Sequence, residues 1–354
     1  MLAAALATSI RDLVPTAVFD GIGNERMAAA GVRLRTSTAG WGAMGPLEAL
    51  RLIPYLIVVC VTNAVRLRLR PIDLIVLVDF GAFNVRFARM LRRFGYRRPI
   101  LYVLPPGAWL DIPNQAREVA RNAVPLTAFA HQRDFYRSLG LEIAYFGHPL
   151  VSLVEPRAPR PPAPPDGGTI ALLPGSRRAE LSHHLPRLLA AVRLVRARRP
   201  NARFVVSAAD GDADASIRRF LADAAEPFDV VRGARAALDV ADAAWIASGT
   251  AVLEAVLREV PCVALYVVTP AQAAIGRRMY RGRYATLPNI LLGREVVPEF
   301  LQDDATPEHL AQALEAVLAD PAEQRSAARE VRASLGEPDA LQRCAAFAVA
   351  LARA

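Results

Sequence analysis

The sequence contains no lysine, so all 43 of its lysine-or-arginine positions are arginine. This absence excludes the lysine of a P-loop nucleotide site and any enzyme that forms a Schiff base through lysine. The formal charge is +9, but aromatic residues make up only 7%, and no nucleic-acid recognition motif accompanies the arginines. The charge therefore favours phosphate-bearing substrates or an anionic membrane over nucleic acid. A solvated surface is the simpler alternative.

Cysteine is also scarce, with only Cys60, Cys262 and Cys344 far apart along the chain. Such spacing suits a reducing compartment, and it gives neither a disulfide framework nor a zinc-binding pattern. His183 and His184 are adjacent, so on a helix they point to different sides, and no HExxH motif occurs. We therefore expect neither a metal nor another cofactor.

Long hydrophobic runs are missing too. The first residues lack the basic start and continuous apolar core of a signal peptide. The apolar run at 52–61 is about half of the roughly 20 residues that a membrane-spanning helix needs, and it contains Pro54. Two interpretations remain open, a buried core helix and a helix lying on an anionic membrane surface. The second would use the apolar Leu56 and Ile57 with the basic Arg66, Arg68 and Arg70.

What the sequence does contain is a regular alternation of short β-branched runs with helical patterns. The alternation stops once, at EPRAPRPPAPPDGG (155–168), where dense proline and glycine indicate a linker. It then restarts, and 354 residues suffice for two cores. We predict an α/β protein of two Rossmann-like domains with parallel sheets, at residues 1–154 and 169–330. A ligand is expected at the carboxyl ends of the strands, in the cleft between the halves.

Two loops of the second half join a strand to a helix through small polar residues. LLPGSRRAEL contains Gly175, Ser176 and Arg177, which could offer amides, a hydroxyl and a guanidinium to one anion. IASGTAVLE contains Ser248, Gly249 and Thr250 at a helix start, and Glu254 lies one turn further on. Each loop has an ordinary alternative, a βα turn with a surface arginine in the first and a helix cap in the second.

A third segment, TLPNILLGREVVPEFLQ, places Asn289, Glu299 and Gln302 among apolar residues. Taken singly, such residues are more often helix caps or surface residues than ligands.

Together these motifs resemble a known family. LLPGSRxxE, SGTAxLE, LPNIL and VPExxQ occur in the order found in the lipid-A-disaccharide synthases. GIGNERMAAAG, AMGPLEAL, IDLIVLVDFGAFN and FGHPL continue the resemblance through the first half. It implies a GT-B inverting glycosyltransferase of lipid A biosynthesis that works without a metal. It would move acylated glucosamine from a UDP donor to a lipid X-like monosaccharide phosphate, at the inner face of the inner membrane.

The resemblance also implies roles for individual residues. Asp79 matches the general base and Arg177 the important arginine of the family. Ser248, Gly249 and Thr250 would face the donor diphosphate and Glu254 its ribose. The remaining donor candidates are Gly175, Ser176, Asn289, Glu299 and Gln302, and the membrane and acceptor candidates are Met44, Leu56, Ile57, Arg66, Arg68 and Arg70. The resemblance further implies that a C-terminal helix within 331–354 packs back on the first domain.

The position of Asp79 agrees with its implied role, because the residue ends a continuously apolar strand and would deliver a carboxylate to the sheet edge. Its alternative role is a cap of the following helix.

Departures from the family pattern fall in the first half. Only Trp109 remains of a tryptophan-rich segment, and Gln132 replaces a carboxylate. Other possibilities are therefore a GT-B transferase with a different acceptor, a nucleotide-sugar-binding pseudoenzyme and, less favoured by the motifs, a UDP-GlcNAc 2-epimerase.

Overall fold

The computed structural model describes residues 1–38, 41, 46–107, 110–158, 160–209, 211–222, 224, 226–280 and 282–354. Met44 and Trp109 lie outside the described residues. The strands are β1 (Asp20–Gly23), β2 (Arg33–Ser37), β3 (Ile75–Val78), β4 (Ile100–Val103), β5 (Val124–Thr127), β6 (Ala144–Tyr145), β7 (Thr169–Leu173), β8 (Arg203–Ala208), β9 (Phe228–Arg232), β10 (Ala243–Ala247), β11 (Cys262–Tyr266) and β12 (Glu299–Leu301).

Helices follow most of these strands. They are α1 (Leu2–Leu13), α2 (Glu25–Ala29), α3 (Pro46–Leu69), α4 (Gly81–Arg93), α5 (Pro113–Asn122), α6 (Ala130–Ser138), α7 (Leu150–Leu153), α8 (Arg178–Arg198), α9 (Gly211–Leu221), α10 (Ala234–Val240), α11 (Thr250–Leu257), α12 (Pro270–Met279), α13 (Leu287–Leu292), α14 (Pro307–Ala319), α15 (Ala322–Leu335) and α16 (Ala340–Arg353).

The first unit comprises Met1–Leu153 together with Leu335–Ala354. Its main sheet is parallel, in the order β3-β4-β5-β6, and β1 and β2 form a separate parallel pair. Because successive side chains of a strand point to opposite faces, β4 feeds two cores. Ile100 and Tyr102 join a core with α3, α4 and α5, whereas Leu101 and Val103 join another with α1 and α16.

The second unit comprises Val154–Ser334. Its sheet is parallel throughout, in the order β9-β8-β7-β10-β11-β12. The strand order reverses between β7 and β10, and ligands of doubly wound sheets bind outside the carboxyl ends of the strands at such a reversal. Trp245 of β10 is fully buried, and its indole Nε1–H donates to the Leu310 carbonyl at 2.9 Å.

These sheets confirm the α/β fold with two Rossmann-like units. The 155–168 segment has no helix or strand among its described residues. Arg157 and Arg160 hold it to the second unit by donating to carbonyls near the end of α10. A helix, α15, runs through the predicted boundary at 330 and ends at Leu335, and α16 packs against α1. None of the helices described combines the length and apolarity needed to cross a membrane.

Candidate active site

The loop after β10 leaves the start of α11 open. Gly249 is the N-cap residue, with a φ of 150°, and no side chain caps the helix. The cap alternative therefore fails for Ser248 and Thr250, and within the described chain the amides of Thr250 and Ala251 have no acceptor. Gly249 and Thr250 are exposed. Free amides at the positive end of a helix dipole attract an anion.

The loop after β7 is organised in the opposite way. The Glu180 carboxylate accepts hydrogen bonds from the backbone N–H groups of Ser176, at 3.1 Å, and Arg177, at 3.2 Å. It also pairs with the Arg177 guanidinium at 2.9 Å. The expectation that this loop offers its amides to an anion is thus corrected, since a carboxylate of the same helix occupies two of them. The Arg177 side chain stays 57% exposed, so the guanidinium and the Ser176 hydroxyl are what this loop presents.

Both loops lie at the same place on the sheet. The strands before them pair directly, with Leu173 beside Ile246. Gly175 has a φ of 109°, and a Cβ there would lie 2.6 Å from a Glu180 oxygen, so the tight turn depends on glycine. The loops therefore flank the strand-order reversal of the second unit.

A buried histidine ties the loop after β7 to the segment after β11. His184 is fully buried, its Nδ1–H donates to the Pro174 carbonyl at 2.7 Å, and its Nε2 accepts from the Val267 N–H at 3.0 Å. Burial lowers the pKa of His184, which agrees with the contact to Val267, because Nε2 can accept a hydrogen bond only in the neutral ring. The sequence showed only two adjacent histidines, which gives no sign of this role.

Asn289 and Glu299 are scaffold residues in the structure. Asn289 is fully buried; its Oδ1 accepts from the N–H groups of Val296 and Val297, and its Nδ2 donates to the Val297 carbonyl at 2.8 Å. Glu299 accepts from the backbone N–H groups of Ala285 and Thr286, both at 2.8 Å. A buried amide and a carboxylate thus satisfy loop backbone in the structure, and contact of Asn289 and Glu299 with a donor stays a prediction.

Glu299 holds the loop at Ala285 and Thr286, and this loop contacts the loop after β10 that contains Ser248, Gly249 and Thr250. The Ser248 hydroxyl lies 3.4 Å from the Ala285 carbonyl. Gln302, with a φ of 54°, accepts from the Val268 N–H at 3.0 Å. Glu254 is half-buried one turn into α11. Four loops at the carboxyl edge of one sheet are therefore linked by side-chain hydrogen bonds.

In the first unit, Asp79 stands at a strained corner after β3. Asp79 and Phe80 have φ values of 50° and 44°, a left-handed conformation that costs a non-glycine residue about 1–3 kcal/mol. Phe80 is the N-cap residue of α4 and no side chain caps that helix, so Asp79 does not play the capping role. Its carboxylate has no hydrogen bond or ion pair among the described residues, and the residue is exposed.

Neighbouring side chains hold this corner in place. The Asp79 carbonyl accepts from Tyr102 Oη at 2.9 Å and from Asn84 Nδ2 at 2.7 Å. Burial raises the pKa of Tyr102, which keeps its hydroxyl as a donor.

Gln132, fully buried, donates to the carbonyls of Pro105 and Pro106 and accepts from Thr127 at 2.6 Å. An amide can make all three bonds, whereas an ionised glutamate cannot donate.

The proposed membrane helix has two different faces. Val59, Cys60, Ala64 and Leu67 are buried in the core of the first unit. Ile57 is 52% exposed, whereas Leu56 packs partly against the core.

Two of the three predicted arginines are already engaged. Arg66 pairs with Asp20 at 3.1 Å, and Arg68 donates to the Phe94 carbonyl. Arg66 is engaged because Asp20 carries a negative charge, and the same carboxylate also pairs with Arg33 and Arg35. Only Arg70 stays exposed without a partner among the described residues.

Comparison with known proteins identifies the family. A sequence model described as "Lipid-A-disaccharide synthetase" matches residues 1–350. The chain belongs to the lipid-A-disaccharide synthase family. It is 31% identical to the lipid-A-disaccharide synthase of Geobacter metallireducens, with 94% of this chain and 89% of the relative covered. It is 35% identical to that of Anaeromyxobacter dehalogenans, with 92% and 87% covered.

Membership of the lipid-A-disaccharide synthase family makes the chain a glycosyltransferase of lipid A biosynthesis. Solved structures show the fold alone. The UDP-GlcNAc 2-epimerase of Methanocaldococcus jannaschii, in complex with UDP-GlcNAc and UDP, matches with a TM-score of 0.62 at 13% identity, covering 98% of this chain and 96% of that one. The UDP-GlcNAc 2-epimerase of Neisseria meningitidis bound to UDP-GlcNAc matches with a TM-score of 0.60 at 9% identity. The match covers 99% of this chain and 96% of that one.

Among the described residues, no group of three or more histidine, cysteine, aspartate or glutamate side chains is arranged to hold a metal ion.

Proposed function

We propose that the enzyme transfers an acylated glucosamine from a UDP donor to a lipid X-like monosaccharide phosphate, with inversion and without a metal. One observation carries the donor half of this proposal. The uncapped start of α11 lies at the strand-order reversal of a six-stranded Rossmann sheet, beside the loop of Arg177. That is where such sheets bind the phosphates of a nucleotide. The two epimerases of similar fold hold UDP-GlcNAc, which agrees with this donor class.

The chemistry needs one base and one anion-stabilising group. The acceptor hydroxyl oxygen attacks the anomeric carbon from the side opposite the diphosphate, and the bond from that carbon to the diphosphate oxygen breaks. The Asp79 carboxylate takes the hydroxyl proton, and UDP leaves with the bonding electrons. The Arg177 guanidinium and the amides of Thr250 and Ala251 stabilise the negative charge that develops on the leaving diphosphate. No metal is needed for that stabilisation.

The corner at Asp79 suits a base. A strained backbone persists only where surrounding contacts enforce it, and Tyr102 and Asn84 hold the Asp79 carbonyl. The carboxylate itself is left without a protein partner among the described residues. It can therefore accept a hydrogen bond from the hydroxyl group of the acceptor.

The amphiphilic acceptor places the reaction at a membrane surface, and we propose the inner face of the inner membrane. The outer face of α3 supports this. It exposes Ile57 at 52%, Val58 at 57% and Leu69 at 74%, a row of apolar side chains that an interfacial helix would bury at the headgroup boundary.

The test is production of the disaccharide phosphate and UDP in equal amounts from detergent-dispersed substrates, followed by mass spectrometry. Asp79→Asn should lower turnover by about 10²–10³-fold while the melting temperature holds. Asp73→Asn is the matched control, because Asp73 is exposed just before β3, at the opposite end of the strand. Wild-type UDP release without a disaccharide would contradict the transfer, and equal turnover of the two variants would contradict the role of Asp79.

A further inference from the structure

A groove between α4 and α5 in the first unit is lined mainly by arginines. It has a volume of about 590 Å³ and is lined by Arg89, Arg92, Arg93, Arg117, Arg121 and Glu118, together with two asparagines. That volume is within the range of small-molecule sites. Five guanidinium groups face one carboxylate, so the groove has a strong positive charge.

Among the described residues, two of these arginines have protein partners. Arg89 pairs with Glu118 at 2.9 Å. Arg92 donates to the carbonyls of Asn122, Tyr96 and Arg98 at 2.9–3.0 Å and so forms part of the groove wall.

The other three, Arg93, Arg117 and Arg121, are exposed and have no hydrogen bond or ion pair among the described residues. Arg89 with Arg93, and Arg117 with Arg121, are each four residues apart on one helix, where like charges repel. An anion bound between the helices would relieve that repulsion.

The groove belongs to the same layer of helices as the apolar face of α3. Helices α3, α4 and α5 pack side by side on one face of the sheet, as one hydrophobic core joins Val59 of α3, Phe87 of α4 and Val119 of α5. The last turns of α3 and α4 are joined by the bond from Arg68 to the Phe94 carbonyl. Leu69, 74% exposed, therefore lies at the same end of the layer as Arg93. The outer side of this layer combines exposed apolar side chains with exposed guanidinium groups.

We propose that this groove, the α4–α5 arginine groove, binds the phosphate of an anionic membrane lipid. The planar guanidinium matches two phosphate oxygens at once, and the neighbouring α3 face provides the apolar contact that a lipid surface covers and a free anion does not. The proposal deepens the membrane location proposed above and rests on it. It also supplies basic residues to the membrane-facing surface of the protein. Arg66 and Arg68 do not supply them, because they are engaged inside the unit.

Sedimentation of the full-length protein with vesicles tests the groove. The vesicles contain phosphatidylcholine alone or with phosphatidylglycerol. The groove variant changes Arg93, Arg117 and Arg121 together to Gln, and its control changes the exposed Arg193, Arg198 and Arg219 of the second unit to Gln. Both remove the same charge. The groove variant should lower partition to the anionic vesicles by about tenfold or more, and the control by less than about twofold.

If the two triple variants lose partition to anionic vesicles equally, general surface charge and not the groove accounts for the binding, and the proposal is wrong. The melting temperature of the wild type is also measured with millimolar glycerol phosphate and with anionic vesicles. If both raise it equally, and the groove variant loses this effect, the groove binds a soluble phosphate and not a membrane lipid. If the groove variant does not fold, Arg121→Glu is compared with Arg219→Glu by the same criterion. Disaccharide formation by the wild type is measured separately in detergent, so a failure of the proposed function is distinguished from a failure of the groove.

Discussion

The loops after β7 and β10 are built from the same kinds of residue and do opposite things. Both pass from a buried strand through glycine and serine into a helix, and their strands are neighbours in the sheet. After β7, Glu180 accepts the amides of Ser176 and Arg177. After β10, α11 begins at a glycine without a side-chain cap, and its first amides stay free among the described residues.

The difference depends on the acidic residue at the third position of the helix. A glutamate there reaches back to the loop amides and completes a capping box, and α8 has one. The third residue of α11 is Val252, which is buried. A glycine–serine turn before a helix therefore does not by itself identify an anion site. The turn must also lack an internal carboxylate.

Arg177→Ala is expected to have the largest effect, a loss of about 10²–10³-fold in kcat. In the loop after β7 the exposed guanidinium is what remains for the diphosphate once the amides are occupied. Initial rates of UDP formation measure the effect. Arg178→Ala is the control, since Arg178 is the exposed next residue at the start of α8. Similar rates for the two variants would remove Arg177 from the site.

Acid should weaken both units, and in the second unit it should weaken the structure behind the loop after β7. Burial lowers the pKa of His184 there, and in the first unit it lowers the pKa of the buried His148 to about 4. A histidine with a folded pKa below its unfolded value of about 6.5 contributes stability above pH 6.5, and the contribution is lost as pH falls. For His148 the loss amounts to about 3 kcal/mol by pH 4.

Melting temperatures recorded from pH 7 to pH 4 check this. They should fall once the pH drops below the unfolded pKa of about 6.5, and His184→Leu should show a shallower fall than the wild type. The Arg35 hydrogen bond lowers the pKa of Asp20 to about 2, so that carboxylate loses its contribution only below its unfolded pKa of about 3.8, outside the window. A His184→Leu curve parallel to the wild type would contradict the coupling.

Thr250→Asp should convert the open loop into one like its neighbour. The new carboxylate lies at the start of α11, where it suits the helix dipole but repels a diphosphate. We expect UDP to bind about tenfold more weakly, a change of about 1.4 kcal/mol, with no loss of stability. Calorimetric titration measures the affinity. Thr250→Asn has a similar size without the charge and should bind within about twofold of wild type.

Glu180→Gln makes the converse and smallest change. Weakening the capping box should cost about 1 kcal/mol of stability, and loss of the negative charge beside Arg177 should strengthen UDP binding a few-fold. Thermal melts and the same titration provide both values. The control is Glu308→Gln, at the exposed first turn of α14. Weaker UDP binding by Glu180→Gln would mean that the carboxylate supports the site instead of competing with it.

Much of the fold followed from the sequence, because buried parallel strands have continuous apolar runs and helices show a different period. The motifs placed the loops after β7 and β10 correctly at strand ends. They did not reveal that Asn289 and Glu299 bind loop backbone, since a ligand-binding and a scaffold carboxylate look alike in a sequence. Nor did they reveal the pairing of Arg66 with Asp20, which are 46 residues apart. Contacts between distant segments depend on the packed structure.

The contrast between the two loops is tested most directly by the backbone amide signals of isotope-labelled full-length protein during a UDP titration. We predict that the signals of Thr250 and Ala251 move and saturate with UDP, whereas those of Ser176 and Arg177 move little because Glu180 retains their hydrogen bonds. Large shifts at Ser176 and Arg177 with none at Thr250 and Ala251 would contradict the proposed donor site.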